Sequence, residues 1–264
     1  MFAKDSAAAR TLPQHFREKS PLHDTAGVPW EGRGYTSNPF AGDDGTADTN
    51  LLRALQAAAA GQDAHLCGVL AALPGKRVLV PIVAVATDTE VGAHGHHADN
   101  ASDMAMVKLQ NSRGEAALPV FTSVAALSAW NSEARPVPML IEKAAQSAVA
   151  EDCVRLVVDL GSEHTAVLQR AQLWALAQGR DWLPPWDDAE VIAEAERLTE
   201  ISAHIERVRL RPGASSEVDF VLHITPGLDR ESLSQSVRAA GEFISRSQLI
   251  AERVSSIKLA VTNA

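Results

Sequence analysis

The stretch RLVVDL, residues 155–160, is the feature that most limits how this chain can fold. It predicts an almost continuously apolar strand, and strands of that kind occur where both faces of a sheet are covered. A second buried strand, RVLVPIVAV, begins at Arg77, and its Pro81 indicates a sheet edge or a bulge. Helical repeats of apolar residues surround both strands. The pattern predicts an α/β (α+β) fold, a mixed sheet flanked by helices with a second, smaller α+β domain.

Further elements follow from hydrophobic period and from turn residues. Additional strands are predicted at DMAMVKLQ, ALPVFTS, VPMLI and TAVLQ. Helices are predicted at VAALSAW, EKAAQSAVAEDC and AQLWALAQG, the first capped by Ser123 and the last ended by Gly179.

Composition changes along the chain indicate four segments. Residues 1–46 are rich in glycine, proline, serine and mixed charge without an apolar period, so we expect a flexible N-terminal segment, disordered up to about Asn38. Residues 47–180 are predicted to form the larger domain. The proline-rich stretch RDWLPPWD supplies a linker at 181–189, and residues 190–264 form the smaller domain.

The smaller domain should contain a hairpin, because IERVRLR and EVDFVLHI flank the turn PGASS. One register puts apolar pairs on one face and opposite charges on the other. That register pairs Val208 with Phe220, Leu210 with Val218, Arg209 with Asp219 and Arg211 with Glu217. Arg207, Arg209 and Arg211 then share one strand face. They are a candidate anion site, although a solvated charge ladder, partly neutralised by the facing acids, is favoured.

The overall charge and the cysteines limit the class of protein. Of 264 residues, 46% are hydrophobic, which is typical of a globular chain. A net charge of −9 argues against a dedicated nucleic-acid binder. Cys67 and Cys153 lie in apolar runs and are predicted to be buried free thiols.

Localisation follows from two features. The N-terminus MFAKDSAAAR has no apolar core of the kind that a secretory signal needs. The longest uncharged apolar stretch, VLVPIVAVA, is about half of the roughly 20 residues that a membrane helix requires. We therefore expect a cytoplasmic protein without a membrane partner.

The stretch VGAHGHHADNASD is the one candidate metal site, with His94, His96 and Asp99 as weak candidate ligands. Histidines two apart share a face only on a strand, and this segment lacks strand-forming residues. We therefore predict no metal and interpret the segment as a solvated loop.

No catalytic residue is predicted. DLGSEH, residues 159–164, holds Asp, Ser and His in one short turn, whereas a hydrolytic triad collects its members from distant segments. No GxSxG elbow or phosphate-binding GxxxxGK[ST] loop occurs, and the GxG of EGRGYTS lacks a preceding strand. No cofactor is expected.

Tryptophans concentrate near the predicted linker, and Trp174, Trp182 and Trp186 are the candidate binding residues. Two interpretations remain open. They form an aromatic groove for an extended peptide, or they pack helices and linker against the core.

The order FAGDDGTAD, RVLVPIVA, DMAMVKLQNSRGEAALPVFTSVAALSAW, RPVP and AQLWALAQGRDWLPP resembles the SseB family, named for enhanced serine sensitivity. The likeness covers about residues 39–186. Residues 190–264, ending in LIAERVSSIKLAV, resemble that family's smaller C-terminal domain more weakly. The resemblance implies a two-domain α/β build and supplies no catalytic residues.

These observations lead to two functional hypotheses. The first is a non-enzymatic interaction or regulatory module that binds an unidentified protein partner and no nucleic acid. The alternative, which depends on the family name, is an enzyme or metabolite sensor linked to serine metabolism. The sequence leaves the oligomeric state open.

Overall fold

The computed structural model describes residues 39–86 and 102–263. The N-terminal segment predicted to be flexible up to about Asn38 and the candidate metal ligands His94, His96 and Asp99 lie outside these residues. The described residues from Asp44 onward form one compact unit. The predicted boundary at 181–189 stays a prediction.

In the first part of this unit, the residues that the structure describes form seven strands in two sheets. They are β1 (Arg77–Ala86), β2 (Ser102–Met106), β3 (Leu109–Gln110), β4 (Ala116–Val120), β5 (Arg135–Leu140), β6 (Cys153–Val158) and β7 (Ala166–Leu168). One sheet is antiparallel, in the order β2-β1-β5; the other has the order β3-β4-β6-β7, with β4 and β6 parallel. The two sheets meet where Leu79 and Phe121 exchange backbone hydrogen bonds of 2.8 and 2.9 Å. The fold is therefore α+β with a mixed sheet, as the sequence predicted.

Pro81 lies in the middle strand of its sheet, so the expected edge strand or bulge is wrong. The reason is a change of partner along one side of β1. Leu79 bridges to Phe121, whereas pairing with β2 begins at Ile82. Pro81 falls between the two, where its carbonyl accepts a hydrogen bond of 3.1 Å from the nitrogen of Val107 and no ladder needs its missing N–H.

Five helices accompany these sheets: α1 (Thr49–Ala59), α2 (Cys67–Ala72), α3 (Val124–Trp130), α4 (Ile141–Ala150) and α5 (Arg170–Ala177). Their ends follow local chemistry. Asp48 caps α1, Ser123 caps α3 by accepting a hydrogen bond from Ala126, and Gly179 adopts a φ of 65° after α5. The strand of residues 153–158 and helices α1, α2, α4 and α5 contribute to one buried core.

The second part of the unit contains a three-stranded sheet and four helices. They are α6 (Ala189–Glu196), α7 (Leu198–Ile201), β8 (Ile205–Pro212), β9 (Val218–Ile224), α8 (Arg230–Arg246), α9 (Gln248–Arg253) and β10 (Ile257–Asn263). The strand order is β10-β9-β8, with β10 parallel to β9. A separate core fills the space between helices and sheet, with Phe220 and Leu198 fully buried. Asp188 caps α6, because its carboxylate accepts from the nitrogens of Glu190 and Val191.

The hairpin β8–β9 forms, but its predicted register is wrong by two residues. Val208 faces Leu222, Leu210 faces Phe220, Arg209 faces Val221 and Arg211 faces Asp219. In the observed register Glu217 lies opposite Gly213, whose nitrogen donates to the Glu217 carbonyl at 3.3 Å, so the turn is centred one residue later than expected. The Glu217 nitrogen donates to Ser256 Oγ at 2.9 Å, and its carboxylate accepts from Ser255 N. Because side chains alternate with a period of two, the arginines stay on the face opposite the core.

Both cysteines are free thiols, as predicted. Cys153 is buried, while Cys67 is only half-buried. Among the described helices, none has the length and apolar character needed to cross a membrane.

Candidate functional site

The segment between α5 and α6 runs along a junction where the two cores approach each other. Trp182 packs against the first core and Trp186 against the second. The start of α5 is also tied to the chain after α9, because Arg170 donates to the carbonyl of Val254 and Ala171 donates to Ser255 Oγ, both at 3.0 Å. The predicted linker is therefore packed on both sides.

A cleft of about 230 Å³ opens at this junction. We call it the junction cleft. Its lining residues are Ala171, Ala175, Arg180, Asp181, Trp182, Leu183, Asp188, Glu190 and Arg253. The two alanines leave space beside α5, and Leu183 is 53% exposed at the same place.

Trp182 carries an unusual polar atom in this cleft. Its Nε1 is buried and has no hydrogen-bond partner among the described residues. An indole N–H can only donate, and a buried donor without an acceptor costs about 1–3 kcal/mol. Because this atom is shielded from solvent, the cleft offers the aromatic ring of Trp182 to a ligand rather than its N–H.

A charged cluster forms one side of the junction cleft. Nη1 of Arg253 donates to both carboxylate oxygens of Asp188, at 3.1 and 3.0 Å, and its Nη2 donates to Glu190 at 2.8 Å. Asp188 is buried and also caps α6. The cluster joins the start of α6 to the end of α9 and gives the cleft a polar rim.

A second polar cluster lies where the parallel strands β4 and β6 end. Asp159, which is fully buried with a φ of 49°, accepts hydrogen bonds of 2.7 Å from both the nitrogen and the hydroxyl of Thr122. Its carboxylate also lies 3.2 Å from Nε2 of His164. Sequence reasoning missed this cluster because it considered DLGSEH alone. The available signal was that the apolar runs in LPVFTS and RLVVDL are each followed by a polar residue, Thr122 and Asp159.

The hydrogen bonds of this cluster connect the ends of two strands, which is a structural role. Within the described part of the chain, the His164 ring contacts no hydroxyl group, so a triad is not assembled. An open cleft of about 460 Å³ adjoins it, lined mainly by the loop before α1, the start of α3, Ser162 and His164. Its walls are mostly apolar, with the histidine at one end.

Comparison with known families identifies the part of the chain that holds this cluster. Residues 51–175 match the family model described as the SseB protein N-terminal domain. The chain carries an SseB N-terminal domain. This confirms the family predicted from the sequence. No curated protein and no solved structure matches the chain.

The three candidate tryptophans divide between the SseB domain and the chain that follows it. Trp174 belongs to the domain, is 37% exposed, and lines a separate cleft with residues of α9. Trp182 and Trp186 follow the domain, and the Trp186 ring meets His65 edge-on at 4.8 Å. Trp182 lines the junction cleft and Trp186 does not, so the single aromatic groove stays a prediction.

The described residues contain no set of side chains that could hold a metal ion. No group of three or more His, Cys, Asp and Glu side chains comes together within 39–86 and 102–263. The sequence candidates His94, His96 and Asp99 lie outside those ranges, so their assignment stays a prediction.

Proposed function

We propose that this SseB-domain protein is a cytoplasmic, non-enzymatic interaction module, and that its junction cleft receives a segment of a partner protein. The observation that carries the proposal is the mixed lining of the cleft, in which Trp182 and exposed Leu183 occur together with the ion-paired Arg253 and Glu190. Aromatic and apolar anchors beside charged groups are typical of surfaces that bind a protein segment.

The shape of the junction cleft supports a peptide rather than a metabolite. Its volume of about 230 Å³ lies below the roughly 300–1,000 Å³ of small-molecule pockets, and it suits one anchoring side chain. Ala171 and Ala175 leave room for that side chain beside α5. Exposed Leu183 extends the apolar contact beyond the cleft.

The charged rim and the proline-rich backbone add to this argument. Arg253 and Glu190 present polar groups at the edge of an apolar floor, the arrangement found in protein interfaces. Pro184 and Pro185 restrict the backbone beside Trp182. A restricted aromatic surface loses little conformational entropy on binding.

A metabolite sensor is the second candidate function, and one observation favours it. The cleft beside His164 measures about 460 Å³, within the range for small ligands. Its polar groups are few, which limits recognition to ligands with a large apolar part. We place it second because the Asp159 carboxylate that faces His164 is already engaged by Thr122.

The test begins with peptides selected from a random display library on the full-length protein. Their affinity is then measured for the wild type, for Trp182→Phe, which keeps the ring and removes the N–H, and for Trp182→Ala. Trp174→Phe is the matched control, since Trp174 lines a different cleft. We expect Trp182→Ala to weaken binding about tenfold or more, because it removes an aromatic wall of the cleft, and Trp182→Phe to have a smaller effect, because it keeps a ring.

A parallel thermal-shift screen of amino acids and phosphorylated metabolites addresses the second candidate. Peptides that bind Trp182→Ala as well as the wild type would exclude the junction cleft. A reproducible shift with an amino acid that has a large apolar side chain, abolished by His164→Ala, would favour the sensor.

A further inference from the structure

The sheet formed by β8, β9 and β10 has one face on the second core and one that turns charged side chains to solvent. We call the latter the basic face. The observed register arranges its nine positions in three rows. The rows are Arg207–His223–Thr262, Arg209–Val221–Ala260 and Arg211–Asp219–Lys258.

Positive charge dominates this face. Arg207, Arg209, Arg211 and Lys258 are all exposed. The single acid among the nine positions is Asp219, whose carboxylate already accepts from Arg211 at 3.3 Å and from Ser216 at 2.9 Å. In a chain with 33 acidic and 24 basic residues, this face is a local reversal of the overall charge.

Three of the four cations remain unneutralised. Within the described residues, no carboxylate forms an ion pair with Arg207, Arg209 or Lys258. The sequence-based expectation that Glu217 and Asp219 would neutralise the arginines therefore holds for Arg211 alone. Glu217 is buried against Ser255 instead of facing the strand.

The pKa of a neighbouring histidine is affected by these charges. His223 lies on β9, between β8 and β10, and Nη2 of Arg207 lies 3.5 Å from its Nδ1. Partial burial, together with Arg207 and Arg209, lowers the pKa of His223. The central row of Val221 and Ala260 is half-buried and apolar.

The dimensions of the basic face set the kind of partner that fits. Three strands and three alternate positions span about 10 Å by about 14 Å. A stable interface between folded domains needs about 800 Å² from each partner, far more than this area. None of the nine positions is Phe, Tyr or Trp, so the stacking that holds single-stranded nucleic acid is missing.

We infer that the basic face is a docking surface for a short, extended acidic segment of a partner protein. Along β8, Arg207, Arg209 and Arg211 repeat every second residue, about 7 Å apart, which matches every second side chain of an extended peptide. Guanidinium groups bind carboxylates through two parallel hydrogen bonds. Val221 and Ala260 accommodate an apolar residue between the carboxylates.

A structural role for the same charges makes a different prediction. Exposed edge strands such as β8 and β10 are commonly protected from aggregation by charged side chains. Charge of either sign gives that protection, whereas docking of an acidic segment needs positive charge. Charge reversal therefore separates the two roles. The basic face shares no residue with the junction cleft, so its test is independent of the function proposed above.

The experiment measures fluorescence anisotropy of a labelled peptide in which glutamate alternates with glycine around one central leucine. The full-length protein is compared with Arg207→Glu/Arg209→Glu, and with Arg53→Glu/Arg113→Glu, which reverses two exposed arginines elsewhere. We expect the first variant to lose at least about tenfold in affinity and the second to bind like the wild type. Binding should weaken as salt rises from about 0.01 M to about 0.15 M, where the Debye length falls from roughly 30 Å to roughly 8 Å.

Two further anisotropy measurements use a version of the peptide with glutamine in place of glutamate and an oligothymidylate of similar length. The inference requires that neither binds as well as the glutamate peptide. Equal loss in both arginine variants, or tighter binding of the oligonucleotide, would overturn it. Self-association of the wild type that is abolished by Arg207→Glu/Arg209→Glu would also overturn the inference, because the occupant would then be a second copy of the chain. Circular dichroism checks that each variant is folded, and Arg207→Lys/Arg209→Lys should retain part of the affinity because it keeps the charge.

Discussion

Nη1 of Arg253 lies 3.1 and 3.0 Å from the two carboxylate oxygens of Asp188, and this ion pair joins helix α9 to the residue before helix α6. Asp188 has two roles there, since the same carboxylate accepts hydrogen bonds from Glu190 N and Val191 N. We expect Asp188→Ala to lower the free energy of unfolding by about 2–4 kcal/mol, from the lost cap and from the charge left at a partly buried Arg253. Asp188→Asn keeps a cap and should cost less. Urea unfolding measures both, and equal losses would show that the cap contributes little.

Asp159 should be a major contributor to stability. Replacing it by alanine leaves the nitrogen and hydroxyl of Thr122 without their acceptor. We expect a loss of about 2–4 kcal/mol in the free energy of unfolding. Asp159→Asn should cost less, because asparagine tolerates the positive φ and keeps one acceptor. His164→Ala should cost no more than about 1 kcal/mol, since both Thr122 bonds survive; a loss as large as that of Asp159→Ala would contradict this assignment.

Glu217 should make stability depend on pH. Burial raises the pKa of its carboxyl above the ordinary value, and one carboxylate oxygen has no partner among the described residues. The unfolded chain loses this proton at the ordinary pKa and the folded chain only at a higher pH. The stability that Glu217 contributes is therefore complete below its ordinary pKa and is lost as pH rises through the folded pKa.

Glu217→Gln has no such proton to lose. At neutral pH the variant should be more stable than the wild type by on the order of 1 kcal/mol, because it buries no charge and its amide oxygen can still accept from Ser255 N. The difference should shrink as pH falls toward the ordinary pKa of glutamate. Urea unfolding across that range provides the measurement, and a difference that grows in acid would reverse the sign of the argument.

The hairpin register can be tested with two matched charge reversals. Arg211 faces the buried carboxylate of Asp219, while Arg209 faces Val221. Arg211→Glu should therefore destabilise the protein by about 1–2 kcal/mol, because it places two carboxylates opposite each other. Arg209→Glu should stay within about 0.5 kcal/mol of the wild type. Comparable losses in both variants would support the register expected from the sequence, in which each of these arginines faces an acid.

The two thiols should react slowly in the native protein. Burial raises the pKa of Cys67 and of Cys153, and the thiolate is the reactive form. Titration with a disulfide reagent at neutral pH should find both thiols in denaturant and only slow reaction without it. Cys67, which is half-buried, should react before Cys153. Rapid stoichiometric labelling of Cys153 in native buffer would contradict its burial.

Local patterns determined most of the secondary structure of this protein. The buried strands at RVLVPIVAV and RLVVDL, the cap at Ser123 and the stop at Gly179 all lie where the sequence predicts them. Each depends on neighbours within a few residues: an apolar run, a hydroxyl that reaches three residues ahead, a glycine that accepts a positive φ. The SseB family was also visible in the order of segments.

Tertiary structure decided the features that depend on contacts between distant segments. Pro81 occupies a middle strand because Phe121 and β2 share one side of β1, an arrangement that no local pattern encodes. The hairpin register differs by two residues from the expected one, with Gly213 opposite Glu217 and the Glu217 carboxylate bound by Ser255, a contact with a distant segment. Likewise, Thr122 and Asp159 became partners only when β4 and β6 paired in parallel. The sequence shows which side chains are apolar and which backbone and side-chain groups need hydrogen bonds. Which distant group becomes the partner of each is determined only by the tertiary structure.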